Sequence, residues 1–429
     1  MTQSTIRTVR AWESLDSRGK PTVACSIELS GGASGRAIAP SGASTGGHEA
    51  VELRDGGSRY AGAGVLRAVE HVNTVVREVL VGRDADDQEA IDATLESLDT
   101  SPGLGTVGAN AVLAASLATV QAAASSRGLP LWKHLSGGHP LLPMPMVNIF
   151  SGGAHAQGLL DIQDVLVIPI KASNFAESIE WASRVRASAA HLMEERGFSA
   201  ALVADEGGLA AALKSNRNAL ALVTDAIAAA GLRPGEDAVL AVDLAANQFW
   251  DGSSYQLRSE SSELTTNAWL DVVSGWCSEF PIASVEDILF EDDWDGWKVA
   301  SATHRPTRQL LGDDFFATNR TRLERGIQDE VANAVLVKPN QAGTVSRAAA
   351  VVQLAQENGY GTVVSARSGD TEDFWLADLA VGWKAGQIKV GSTMRSERTA
   401  KWNRLLEIEA RAGSDAHFAG ASAITGWSS

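Results

Sequence analysis

Residues 238–243 read AVLAVD, 282–287 read IASVED, 309–314 read QLLGDD and 334–338 read AVLVK. Each is a short apolar run that stops on a charged side chain: Asp243, Glu286, Asp313 and Lys338. Runs of this length, separated by alanine-rich helical patterns, read as buried strands of a parallel sheet. The same rhythm extends outward on both sides. DVLVIPI (164–170) and SAALVADE (199–206) precede, while TVVSARS (362–368) and QIKV (387–390) come after, closing on Glu206, Arg367 with Ser368, and Lys389. The intervals between closing residues run from 21 (Ser368 to Lys389) to 43 (Asp243 to Glu286), enough for a strand, a helix and two loops. About eight such units close a (β/α)8 barrel of ~250 residues, with reactive groups at the C-terminal ends of its strands. One charge after one strand would be an ordinary loop start; seven in series predict one shared mouth.

Before residue 136 the pattern differs. TIRTVRAWE (5–13), TVACSIEL (22–29) and the short GRAIAP read as strands, followed by helical patterns near 62–79, 86–97 and 108–126. Strands followed by helices predict an α+β unit over 1–135, ahead of a barrel over 136–429. Gly103, Gly105 and Gly108 spell GxGxxG. With no apolar strand before them and no acidic residue about 20 positions on, they read as a turn and helix start, not a dinucleotide site.

The chain's 429 residues are 45% hydrophobic and 21% charged, ordinary usage for a large globular core. A net charge of −16 argues against nucleic acid or an anionic membrane as partner. An acidic protein that handles an anion has to gather its positive charge locally. The two cysteines, Cys25 and Cys277, are too few for a disulfide framework, and Cys25 sits in an apolar strand pattern. MTQSTIRTVR carries no apolar signal core and no 18-residue apolar run occurs, so a cytoplasmic enzyme is expected.

Three carboxylates at one mouth, with no His or Cys beside them, suit magnesium rather than zinc. Without a cation they would repel one another. Lys338 and Lys389 end the strands opposite. A lysine near a divalent cation and a second lysine has a lowered pKa and can act as a base. Arg367 and Ser368 suit a phosphate or carboxylate, which a guanidinium grips as a fork.

Longer runs carry a resemblance. SLDSRGKPTV, PSGASTGGHEAVELRD, GGAHAQGLLDIQD, ADEGGLA, SVED with EDDWDGW, LLGDDFFATN, LVKPNQAGT, ARSGDTEDFWLADL and GQIKVGSTMRSER are similar to enolase, collinearly from about residue 5 to 412. The resemblance implies an enolase-type (β/α)8 barrel behind an α+β capping domain, two magnesium ions (the second substrate-dependent), and a homodimer or an octamer of dimers. It implies that Asp243, Glu286 and Asp313 bind the first ion, that Ser44 joins the second, and that Lys338 takes the α-proton of 2-phosphoglycerate. Lys389 would help neutralise the ene-diolate, a Lys-and-magnesium arrangement general to the superfamily. Glu206 would be the general acid, His155 would approach the phosphate held by Arg367 and Ser368, and Gln163 would contact the substrate.

Several positions leave the family's pattern. Ala366 stands where enolase has a His, Asp164 where the partner of the general acid is a Glu, Ser151 where the mobile-loop motif opens with Asn, and Ala342 where a branched residue is usual. GAPARSER reads GSTMRSER, and EDP reads Glu286-Asp287-Ile288. The first four changes all shrink a side chain expected near the mouth, and a shift of about an ångström there can cost ~100-fold in rate. The expectation is therefore a paralogue that keeps metal, base and anion clamp but takes another substrate. It resembles carboxyphosphonoenolpyruvate synthase of phosphonate biosynthesis, which joins a phosphonoformyl group to an enolpyruvate unit; no nucleotide-binding motif for an activated donor accompanies it. The alternatives are an ordinary enolase and a non-catalytic binding protein, against which intact Glu206, Lys338 and Lys389 speak.

Overall fold

A computed structural model describes residues 2–43 and 46–427. At its N-terminus β1 (Ile6–Leu15), β2 (Pro21–Leu29) and β3 (Ser34–Ile38) form an antiparallel sheet. Its apolar face packs on the alanine-rich helix Ala109–Ser126, buried along nearly its whole length. The approach is close enough to require glycine: a Cβ on Gly35 would lie 2.2 Å from the Ala118 carbonyl oxygen. GxGxxG does form a turn and the start of this helix, with Gly108 as its N-cap at φ 100°. Hydrogen bonds tie this unit to the C-terminal domain, from Ser346 N to Asp92 Oδ2 (2.8 Å) and, fully buried, from Val345 N to Ser116 Oγ (3.0 Å).

Eight strands close the barrel. They are β4 (Met144–Ser151), β5 (Asp164–Ile168), β6 (Val239–Asp243), β7 (Ile282–Glu286), β8 (Gln309–Gly312), β9 (Ala334–Val337), β10 (Gly361–Ser365) and β11 (Gln387–Gly391). Two expectations are corrected. SAALVADE is no strand: it runs as irregular chain with Leu202 72% exposed, and MPMVNIFS supplies the missing strand. Nor is the sheet all parallel, because β5 lies antiparallel to both β4 and β6. That reversal has a consequence for the mouth. Asp164 opens its strand instead of ending it, yet it pairs with Ser151 on one side and Asp243 on the other, and Asp243 pairs with Glu286. Four neighbouring strands thus set Ser151, Asp164, Asp243 and Glu286 on one rung.

Below that rung the barrel interior is apolar, with Met144, Met146, Leu166, Leu311, Leu336 and Val363 in one cluster. Phe418, Ala421, Ala423 and Trp427 close it from underneath. Truncating one such leucine to alanine should cost about 2–5 kcal/mol, so the floor holds the rung rigidly. Cys25 and Cys277 are both buried and unpaired, as the sequence indicates. No helix among the described residues is long and apolar enough to cross a membrane.

Candidate active site

Asp243 and Glu286 end β6 and β7, and Asp313 follows β8; all three are buried. Lys389, on β11, reaches across the barrel and donates to Asp243 Oδ2 at 2.6 Å and Glu286 Oε1 at 2.7 Å. Lys338 donates to Asp313 Oδ2, and Gln341 Nε2 to Asp313 Oδ1 at 3.0 Å. Gln163 Nε2 donates to Asp243 Oδ2 at 3.0 Å. Asp287, just past Glu286 at φ 44°, accepts from the backbone N–H groups of Asp313 (2.9 Å) and Asp314 (2.8 Å), locking the loop after β8.

Burial, and after it the Asp243 charge, pushes the Glu286 carboxyl well above the usual range. Burial also lifts Asp313, but Lys338 and Lys389 outweigh it and hold that carboxyl low. The two ammonium groups both stand above their usual range. Burial would depress them, but Asp313 raises Lys338, and Asp243 with Glu286 raises Lys389 further. A lowered lysine pKa needs those carboxylates turned toward a cation instead. The donor set suits one: it is all oxygen, and Glu286 Oε2 is buried with no hydrogen-bond partner among the described residues. Asp287, Asp313 and Asp314 also bring ligand oxygens within 4.8 Å of one another, so acidic groups able to bind metal are present. Ser44 lies outside the described residues.

His155 sits on the opposite wall, buried between two carboxylates. Its Nδ1 is 2.9 Å from Asp164 Oδ2 and its Nε2 is 3.7 Å from Glu206 Oε1. Asp164 is buried and saturated, its Oδ1 accepting from Ser151 Oγ at 2.8 Å and from Asn148 Nδ2. Burial disfavours the imidazolium, but Asp164 and Glu206 more than compensate and raise His155 to about 9. Glu206 stands on a turn completed by Gly207 (φ 81°) and pinned by Ser392 N to Glu206 O at 2.9 Å. The buried Arg186 ties the same turn down, donating to Gly207 O at 3.2 Å and Ser392 Oγ at 3.1 Å. Sequence reasoning misses Arg186, because in WASRVRASAA it looks like a solvent-face arginine of a helix. It also misses Asn148, inside the unexpected strand β4.

Arg367 follows β10, its backbone carbonyl held by Arg398 Nη1 at 2.6 Å. Its Nη1 donates to Glu49 Oε2 at 2.9 Å and Asn340 Oδ1 at 3.1 Å. Ser368 Oγ accepts from Ala43 N at 2.6 Å. His155, Glu206, Lys338, Ala366, Arg367 and Lys389 line one narrow cleft. Ala342 is not part of it. It lines a separate groove with Glu49, Val51, Thr318 and Val351, so the two alanines do not enlarge one space as the sequence suggests.

Both halves of the chain match a known family. Residues 6–135 match the N-terminal domain of enolase, and residues 139–426 the C-terminal TIM barrel domain of enolase. The chain belongs to the enolase family. An enolase-superfamily, lyase-type enzyme is the coarse reading this supports, with the family's magnesium and small phosphorylated substrates.

Proposed function

We propose that this chain is a magnesium-dependent enolase-family enzyme acting on 2-phosphoglycerate- or phosphoenolpyruvate-type substrates through an ene-diolate. We further propose that its site has diverged toward phosphonate natural-product chemistry of the carboxyphosphonoenolpyruvate synthase kind. The observation that carries the divergence is the wall around Ala366. A methyl group faces the anion cavity there, and Asp164 is bound to Ser151, Asn148 and His155 and not to Glu206 directly. A site tuned only to lose water from 2-phosphoglycerate has no use for a side chain this short.

In this reading Asp243, Glu286 and Asp313 hold one magnesium ion and Ser44 helps hold a second. When bound, the metal polarises the substrate carboxylate and offsets charge that develops on it. Lys338 Nζ, released from Asp313, takes the proton next to the carboxylate. Lys389 balances the extra negative charge left after that proton departs. Glu206, with His155 at its side, gives a proton to the departing oxygen. Arg367 and Ser368 hold the phosphate or phosphonate, and Gln163 fixes the carboxylate end. A cytoplasmic homodimer or octamer completes the proposal.

The test is an assay of purified protein with 2-phosphoglycerate and magnesium, followed by the absorbance of the enol product. Weak or absent turnover with measurable binding supports the diverged reading. Turnover at ordinary enolase rates would establish the alternative, a working enolase, which the convergence of Lys338, Lys389 and Glu206 on one cavity favours. Replacing Lys338 with Ala should lower any turnover by roughly 100- to 10,000-fold. A biological role unaffected by that change would point to a binding protein.

A further inference from the structure

The anion clamp of this site already holds an anion, and it belongs to the protein. Arg367 and Glu49 meet fork to fork, Nη1 to Oε2 at 2.9 Å and Nη2 to Oε1 at 3.3 Å. Both side chains are almost fully buried, at 3% and 5% exposed. Burial would weaken the guanidinium charge, and Glu49 more than offsets it. Glu49 Oε1 also accepts from Gln341 Nε2 at 3.2 Å and from Gly46 N at 3.1 Å. The two partners are held unequally. Arg367 is fixed by Arg398 through its carbonyl and by Asp370 Oδ2 through its N–H (3.3 Å), in a chain segment continuous with β10. Glu49 stands on a glycine-led loop and lines the groove that also holds Ala342.

We propose that Glu49 is an internal stand-in for the substrate's anionic group, displaced into the groove when a tetrahedral dianion (phosphate or phosphonate) takes Arg367. The inference rests on reading Arg367 as the anion clamp. A buried guanidinium left alone would be costly and would recruit any small anion. A stand-in admits only ligands charged enough to outbid a carboxylate, and a doubly charged oxyanion outbids it. The competing idea, that Glu49 merely orients Arg367 for the ligand, makes the opposite prediction.

The probe is inorganic phosphate, with and without magnesium, titrated calorimetrically into wild type, Glu49→Gln and Glu49→Ser. Two variants of different size guard against a local folding defect in one. Displacement predicts that both bind phosphate at least about tenfold more tightly, a charge-assisted bond's worth. It also predicts a larger rise in Tm with phosphate, and loss of the gain when Arg367→Met is added. Unchanged or weaker binding in both variants, or a gain that survives Arg367→Met, overturns the proposal. Turnover plays no part in this readout. Tighter phosphate binding without any action on 2-phosphoglycerate would sustain the stand-in and sink the ordinary-enolase alternative, so the two readings fail separately.

Discussion

The Nδ1 atom of His155 lies 2.9 Å from Asp164 Oδ2, so the carboxylate expected to face Glu206 faces an imidazole instead. Asp164 is one methylene shorter than the glutamate usual in the family. It starts an antiparallel strand and is held by Ser151 Oγ at 2.8 Å. His155 spans the remaining distance to Glu206, 3.7 Å from its Oε1. Two carboxylates of like charge are thereby separated by a group that can be positive.

If Asp164 holds the charge on His155, Asp164→Asn should bring the imidazole down from about 9 by at least about one pKa unit. Titration of the His155 ring nitrogens by NMR would read this directly. An unshifted midpoint would mean that Glu206 and Asp243 sustain the charge without it.

The same pair predicts how stability depends on pH. His155 titrates near 6.5 when unfolded and is raised to about 9 in the fold. A raised cationic group stabilises fully below the unfolded value and loses that contribution as pH climbs through the folded one. The loss should fall between about pH 6.5 and 9 and be on the order of 3 kcal/mol. Urea unfolding of wild type and His155→Gln across that window tests it. Parallel curves for the two proteins would remove His155 as the cause.

Ala366→His restores the ring usual in the family on the wall of the cleft. Activity on 2-phosphoglycerate should rise by roughly tenfold or more, while any ligand larger than phosphoenolpyruvate should bind correspondingly less well. Steady-state kinetics paired with calorimetry would show both effects. A loss on both counts would mean that the wall has repacked around the methyl group.

Burial lifts the thiol of Cys25 to about 12 and that of Cys277 to about 11. The thiolate is the reactive form, so neither should react with a thiol reagent in the native protein. Both should react once the chain is unfolded in denaturant. Rapid native labelling of Cys277, on the helix Thr266–Glu279, would show that this helix opens.

Much of the fold is legible because it is written locally. Asp243, Glu286, Asp313, Lys338 and Lys389 each sit at or near the end of a short apolar run. Such runs must be strands, and parallel strands bring their ends to one side. The N-terminal strands and the helix Ala109–Ser126 are legible for the same reason. Strand polarity is not. A period-two or all-apolar pattern reads the same in either direction, so β5 looks like its parallel neighbours. MPMVNIFS, carrying two methionines and a proline, looks less like a strand than SAALVADE does.

The sequence by itself determined the barrel, the family and which carboxylates and lysines end its strands. Tertiary structure alone decided that Asp164 shares a rung with Ser151 and Asp243, that His155 stands between Asp164 and Glu206, and that Glu49 covers Arg367. It also decided that Ala342 opens a different space from Ala366. These pairings join residues far apart in the chain, such as Glu49 and Arg367. Their existence depends on how the sheet closes and how the N-terminal unit packs over it. The charge at the end of a strand is set by a few neighbours; the partner that charge meets is set by the whole fold.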